Sequence, residues 1–308
     1  MPFKQFFHLL ACPECHSSLK QVDKQLYCSS CNRYYAIQNG IPILFHQDSS
    51  AVRESGETYF IQEDASEMIQ KVKRSSILKK FKEALFNVPV YKHSITGSRG
   101  KWEARCLQQC GIDRLNEKDF ILNLGSGVQV IQQKAQFIEF DIAPHQNVHV
   151  VGDGHYLPFQ DESLSGVCII SVLEHVPRPW KIAEEIHRVL EPGGFVFAYT
   201  PFIFPYHGAP HDYFRYTNNG LRAIFQEFRE IDCFTDRCPT RAMIIAIAEY
   251  WSHYSNHRAI ASLLRIITAW LLSPFMLLDY YLRRKKDPTI VTGFTYLGTK
   301  ASLFRDPK

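Results

Sequence analysis

The chain lacks a concentrated charge of either sign. Its 35 Lys and Arg against 31 Asp and Glu leave a formal net charge of +4 over 308 residues, and the basic residues are scattered except at Arg283, Arg284, Lys285 and Lys286. Nucleic acids are gripped by stripes of Lys and Arg that neutralise phosphates, so a nucleic-acid partner is not expected. An export signal is not expected either. Leu9 to Cys12 ("LLAC") resembles a lipoprotein cleavage site, but the apolar residues ahead of it, Phe6 to Ala11, are too few for a signal core. A reducing cytoplasm is therefore expected, where paired cysteines hold metal rather than form disulfides. An unbroken membrane span is lacking too: the most apolar stretch, Ala259 to Leu282, is interrupted by Arg265, Pro274 and Asp279.

What is present is enough apolar residue, 45%, for one sizeable core with additions at both ends. Among nine cysteines, Cys12/Cys15 and Cys28/Cys31 form two Cys-x-x-Cys knuckles separated by twelve residues, room for a hairpin that closes a tetrahedral four-sulfur zinc site. Such a closed site is structural, and the metal would supply much of the folding free energy of so small a segment. His16 is an alternative ligand only if one cysteine fails. Cys106, Cys110, Cys168, Cys233 and Cys238 are expected as free packing thiols. Through "LLACPEC", "YCSSC" and "YYAIQNGIPIL" this segment resembles the short zinc-ribbon proteins that activate or accompany methyltransferases. The resemblance implies a ribbon over residues 1–46 and a methyltransferase after it.

Residues 47–100 turn polar. Ser49, Ser50, Ser55 and Gly56 mark a linker, and Ile77, Leu78, Phe81, Leu85 and Phe86 recur at helical spacing, as in a packing helix or lid. A further helix is expected from Lys101 to Cys110.

The apolar run Phe120 to Leu124 leads into Gly125-Ser126-Gly127, a turn that lets backbone approach a ligand. A second strand, Phe137 to Phe140, ends at Asp141, placed for both hydroxyls of a ribose. A third, Val148 to Val151, precedes Asp153, placed for the amine of an adenine. The strand Val167 to Ser171, a helix carrying Ile182, Ile186, Val189 and Leu190 that stops at Pro192-Gly193-Gly194, and the strand Phe195 to Thr200 continue the alternation. Strand, turn and helix in that rhythm predict a doubly wound α/β sheet. A nicotinamide dinucleotide fold competes, but its third glycine is replaced within Val128-Gln129-Val130, and only nine residues separate Gly127 from the second strand. For Asp141 or Asp153 taken alone, a solvated loop carboxylate is the plain alternative.

The series "ILNLGSG", "FIEFDIAP", "VVGDGHYLPFQDESLSGV" and "SVLEHVPRPWKIAEEIHRVLEPGGF" resembles class I S-adenosylmethionine-dependent methyltransferases of the type 11 kind. The resemblance implies a Rossmann-like seven-stranded sheet over 101–308. It implies contacts with the cofactor's methionine part at Gly125, Ser126 and Gly127, with its ribose at Asp141 and the neighbouring Ile142, with its adenine at Asp153 and Gly154, and a floor at Ser171. The short first crossover and the missing glycine depart from the family's commonest pattern.

After the fifth strand, "TPFIFPYHGAPHDYFRYT" carries His207, His211, Asp212, Tyr213, Arg215 and Tyr216. A His-Asp-Tyr-x-Arg-Tyr-Thr segment resembles that of a bacterial methyltransferase subgroup, where it implies an acceptor site. His211 oriented by Asp212 is the expected general base, Arg215 the holder of an anionic group, and His175, beside Glu174, the reserve base. Two alternatives stay open: His211 and Asp212 only pin the loop while Thr217 caps the helix Asn218 to Phe228, or His207 and His211 bind a metal.

Between a sixth strand, Glu230 to Phe234, and a seventh, Phe294 to Thr299, lies a helical insertion, 238–291, expected to cover the acceptor pocket. Its apolar helices, broken near Pro274 and flanked by Trp270, Tyr280, Tyr281 and the basic cluster, suit either a soluble cap or dimer surface, or peripheral contact of 259–286 with the inner face of a membrane. The expected function is methyl transfer to a small-molecule, glycan or lipid-linked acceptor. RNA methylation, or a non-catalytic scaffold with a protein-docking ribbon, are the alternatives.

Overall fold

The structure, a computed structural model, describes residues 3–49, 115–116, 118–127, 136–208, 211–235, 239–279 and 289–301. The expected lid helix, the helix from Lys101 to Cys110, the Val128-Gln129-Val130 continuation, Cys106, Cys110, Cys238, Tyr280, Tyr281 and the basic cluster lie outside them.

The first strands are short: β1 (Lys20–Val22), β2 (Gln25–Cys28), β3 (Arg33–Gln38) and β4 (Ile41–Leu44). They form an antiparallel meander in which the two Cys-x-x-Cys segments face each other. Then come β5 (Phe120–Leu124), β6 (Gln136–Asp141), β7 (Val150–Gly152) and β8 (Leu164–Ile170). β5 and β8 are buried at every position, as strands covered on both faces must be, and β5 pairs in parallel with both β6 and β8. Helix α1 (Pro179–Val189) packs Ile182, Ile186 and Val189 inward and opens on a proline whose missing N–H costs nothing there. It ends three residues before the expected Pro192, because the chain turns straight into β9 (Leu190–Pro201), with Gly193 at φ +87°. A short α2 (Asn218–Ile224), capped by the Thr217 hydroxyl accepting from Gly220 N–H at 3.1 Å, precedes β10 (Arg229–Thr235). The last strand is β11 (Gly293–Thr299), antiparallel to both β9 and β10.

The expected seven strands are present in the order β7-β6-β5-β8-β9-β11-β10, but the sheet has eleven. The ribbon adds the other four by laying β4 in parallel on β7, Ile43 opposite Val151 and Leu44 opposite Gly152. The cause is composition: three of the four residues of β4 are buried, and β7 would otherwise present an open edge. Gln160 N–H to Leu9 O and Ala11 N–H to Pro158 O add a second tie. Phe6, Leu10, Leu26 and Leu44 share one hydrophobic cluster with Leu122, Ile138 and Phe140.

The insertion is a helical hairpin, α3 (Pro239–Ser252) and α4 (Arg258–Leu272), running into a 3-10 stretch, Ser273–Leu278, at Pro274. Ile244, Ile245, Ile266 and Ala269 fill its seam. Its polar interruptions are used internally: Arg265 donates to both Glu249 oxygens at 2.6 and 2.9 Å, and buried Asp279 accepts the Thr240 N–H at 2.9 Å, capping α3. Ile260, Leu263, Ile267, Trp270 and Leu271 of α4, with Phe275, Leu277 and Leu278 beyond it, remain exposed.

Leu44→Ala should destabilise the whole chain by about 2–5 kcal/mol, the cost of a cavity in a packed core. Chemical unfolding should then show one transition at a lower midpoint; a separate early transition confined to the ribbon would show that β4 is not part of the common core.

Candidate active site

The C-terminal tips of β5 to β9 fall along one edge of the sheet, the edge at which parallel sheets of this kind receive ligands. Gly125 and Gly127 have φ of +73° and +56°. A Cβ on Gly125 would stand 2.2 Å from Val172 Cγ2, whereas the same position on Gly127 opens on free space. The turn is clamped to the end of β6: Gly125 and Ser126 N–H donate to Phe140 O, and Gly127 N–H donates to Asp141 Oδ2 at 2.8 Å. Asp141 Oδ1 accepts the Ala143 N–H at 3.0 Å, and a carboxylate so held keeps acceptor capacity for a ligand. Ser126 Oγ is buried without a hydrogen-bond partner, beside the open approach at Gly127. A buried polar atom at a glycine turn fits a polar small ligand lying on it, as S-adenosylmethionine would. Ile142 is half-buried and packs toward Ile43, Phe45 and Val148.

Asp153 is differently engaged. It is 4% exposed, and its oxygens accept from Ser49 Oγ at 2.6 Å, His155 N–H at 2.9 Å and His155 Nδ1 at 2.7 Å. Burial would raise its pKa, but the His155 and Ser49 hydrogen bonds outweigh that and lower it. The expected adenine contact is thus, within the chain, a clasp between the ribbon's tail and the sheet. Gly154 sits where a Cβ would press on Leu124 and Ile182.

In the ribbon, the Sγ atoms of Cys12, Cys15, Cys28 and Cys31 all lie within 4.8 Å of one another, with Cys12–Cys31 and Cys15–Cys28 at 3.5 Å. Tetrahedral zinc with bonds of about 2.3 Å sets its sulfurs about 3.8 Å apart, so the set fits that ion. His16 is not in the cluster.

The loop after β9 corrects one expectation. Asp212 does not orient His211. Its side chain, 1% exposed, accepts two N–H bonds from Arg215, accepts the His207 N–H at 2.9 Å and lies 3.3 Å from His207 Nδ1. A guanidinium fork matches a carboxylate better than an exposed imidazole does, and the anion that Arg215 holds is Asp212 itself. Arg215 also donates to Pro205 O at 3.1 Å, so the pair shapes the loop. The His211 ring is exposed, and its carbonyl accepts from His175 Nδ1 at 2.6 Å. Beneath them Glu174 is fully buried, neither of its oxygens has a hydrogen-bond partner, and burial pushes its carboxyl up to about 7.

A cavity of about 240 Å³ opens here between Ser171 and Tyr199 at the strand tips, Phe204 and His207 of the loop, and Arg241 and Ile245 of α3. Ser171, at φ +55°, and His207 are the cavity residues that the sequence had already singled out. Arg241 was legible in principle: an arginine inside the apolar run "PTRAMIIAIA", 5% exposed in the fold.

Seven strands with the last turned back between β9 and β10, and a glycine bend against an acidic strand tip, form the doubly wound sheet expected from the sequence, behind a ribbon. Comparison with known families agrees: residues 123–198 match the Methyltransferase domain family (Methyltransf_11), and residues 4–40 match Trm112p-like protein. An uncharacterized methyltransferase of Mycobacterium avium is 42% identical over 69 residues, 22% of this chain and 27% of that protein. One from Mycobacterium tuberculosis (H37Rv) is 46% identical over 61 residues, 19% and 24% of the two chains. The chain thus spans about a quarter of the length of the curated relatives it matches. Among solved structures, Haemonchus contortus phosphoethanolamine N-methyltransferase 2 in complex with S-adenosyl-L-methionine is 14% identical with a TM-score of 0.45, covering 71% of this chain and 57% of that one.

Hydrogen bonds from Arg215 hold the Asp212 carboxyl far below the usual carboxylate range. Such a depressed group stabilises the fold fully above the unfolded value of about 3.9, and the contribution drains away as pH falls toward its folded value. Asp212→Asn should therefore cost about 1–3 kcal/mol near neutrality. In urea unfolding the gap from wild type should narrow between pH ~7 and pH ~3; a gap independent of pH would show that the ionised carboxylate is not its source.

Proposed function

We propose that this chain is an S-adenosylmethionine-dependent methyltransferase whose acceptor is a lipid-linked or otherwise amphipathic small molecule, entering the cavity beneath α3. The observation that carries this is the continuity of the cavity with the insertion: Arg241 and Ile245 line it, while the hairpin to which they belong leaves an apolar face uncovered. Arg258–Leu278 is long and apolar enough to cross a membrane, with 17% of its apolar window buried. Its packing on α3 and its Arg265–Glu249 pair favour a hairpin lying at the inner membrane surface over a span.

When bound, the cofactor supplies an electrophilic methyl group on a sulfonium. The chain's part is to hold and orient: Gly125, Ser126 and Gly127 bed the methionine part, Asp141 takes the ribose, and Ser171 forms the floor toward the acceptor. Transfer is an in-line displacement, so positioning in the cavity does most of the work. In this reading the ribbon, residues 1–46, holds structural zinc on Cys12, Cys15, Cys28 and Cys31 and completes the edge of the domain at 101–308.

Calorimetry should show S-adenosylmethionine binding to the full chain, weakened roughly 10- to 100-fold by Asp141→Ala, the worth of hydrogen bonds to a charged acceptor. Wild type that does not bind would leave only a scaffold. In flotation assays the chain should rise with anionic vesicles, and Trp270→Asp with Leu271→Asp should abolish this. Retention on RNA that fades with salt, without vesicle binding, would replace the amphipathic acceptor with a nucleic acid.

A further inference from the structure

We infer that Glu174, His175 and His207 form a second metal site, for a divalent first-row transition ion, at the mouth of the cavity. Glu174 Oε1 lies 3.8 Å from His175 Nε2 and 3.7 Å from His207 Nε2, and the three ligand atoms all fall within 4.8 Å of one another. Each imidazole is oriented from its far side. His175 Nδ1 sits 2.6 Å from His211 O, so it donates there. His207 Nδ1 sits 3.0 Å from Pro205 O, 3.3 Å from the Asp212 carboxylate and 3.5 Å from Arg215 Nη2; the two nearer contacts are acceptors, and the tautomer that satisfies them donates from Nδ1. In the tautomers that satisfy these contacts both rings turn Nε2 lone pairs toward Glu174, whose carboxyl has no exposed surface and no hydrogen-bond partner on either oxygen.

Three acceptors then converge, an arrangement that repels itself unless a cation or a proton sits between them. Backbone carbonyls or carboxylates behind the distal imidazole nitrogens are the usual outer support of metal-bound histidines. Two imidazoles and one carboxylate suit zinc, cobalt, manganese or iron(II), and leave coordination positions open. Donors on bonds of about 2.1 Å stand about 3.4 Å apart in a tetrahedral set, so small side-chain rotations close the observed spacing. His207 also lines the cavity, so an ion here would meet an oxygen donor of whatever occupies it. The site is separate from the four-cysteine ribbon and does not depend on the methyl-transfer reading.

Cobalt(II) alone, added to the full chain with its ribbon zinc in place, tests this. Wild type should take up one further equivalent with weak visible d–d bands and no thiolate charge-transfer band, while zinc measured by mass spectrometry stays constant. Glu174→Gln and His175→Gln should each weaken uptake at least tenfold, with circular dichroism melts reporting that both variants fold. His211→Ala, which keeps the supporting carbonyl, should bind as wild type does. Uptake only into the ribbon, or second-site uptake unchanged in both ligand variants, would overturn the site and leave a proton as the group that satisfies these acceptors.

Discussion

The parallel pairing of β4 with β7 is the contact on which the organisation of this chain depends. It turns an edge strand into an interior one and gives a ribbon too small for its own core a share in a larger one. It also brings the tail beyond β4 over the sheet, where Ser49 meets Asp153. A Cβ at Gly152 would come 2.7 Å from Leu44 O, so the closeness of the two backbones is built into the choice of residue at the contact itself. The ribbon and the sheet are therefore packed as one unit: β4 pairs with β7 at Val151 and Gly152, and Asp153 lies one residue beyond that strand.

Much of this was legible in the residues. β5 and β8 are mostly apolar, broken only by Asn123 in one and by Ser165 and Gly166 in the other, as strands buried on both faces are; the glycine bend, Asp141 and the order of alternating elements then fix a doubly wound sheet. The tetrahedral cysteines follow from spacing alone. The joining of ribbon to sheet was not legible, because "IPIL" specifies a buried strand without naming its neighbour. Nor was the engagement of Asp153, since position at a strand tip does not reveal which hydroxyl will arrive from a hundred residues away.

The loop after β9 shows the same limit at shorter range. His211 and Asp212 are adjacent, and adjacency suggested a pair, but neighbours in an extended segment point apart; the partners are Arg215, three residues on, and His207, five back. What the sequence displayed as a base and its orienter is a folded buckle around Arg215. Its consequence is chemical all the same, since the buckle fixes the His207 ring and the adjoining carbonyl fixes His175.

The hairpin insertion leaves the sheet and returns to it at one place. Thr235 is paired with Phe294, and Asp279 closes back on the first turn of α3. An element whose two ends meet is a cassette: it can be exchanged for a longer, shorter or more polar one without disturbing the register of β9, β11 and β10. The sheet can thus keep the bend at Gly125 and the acidic tip at Asp141 while the piece that lines the cavity with Arg241 and Ile245 is replaced, so that a change in what the cavity accepts need not pass through an unstable intermediate sequence.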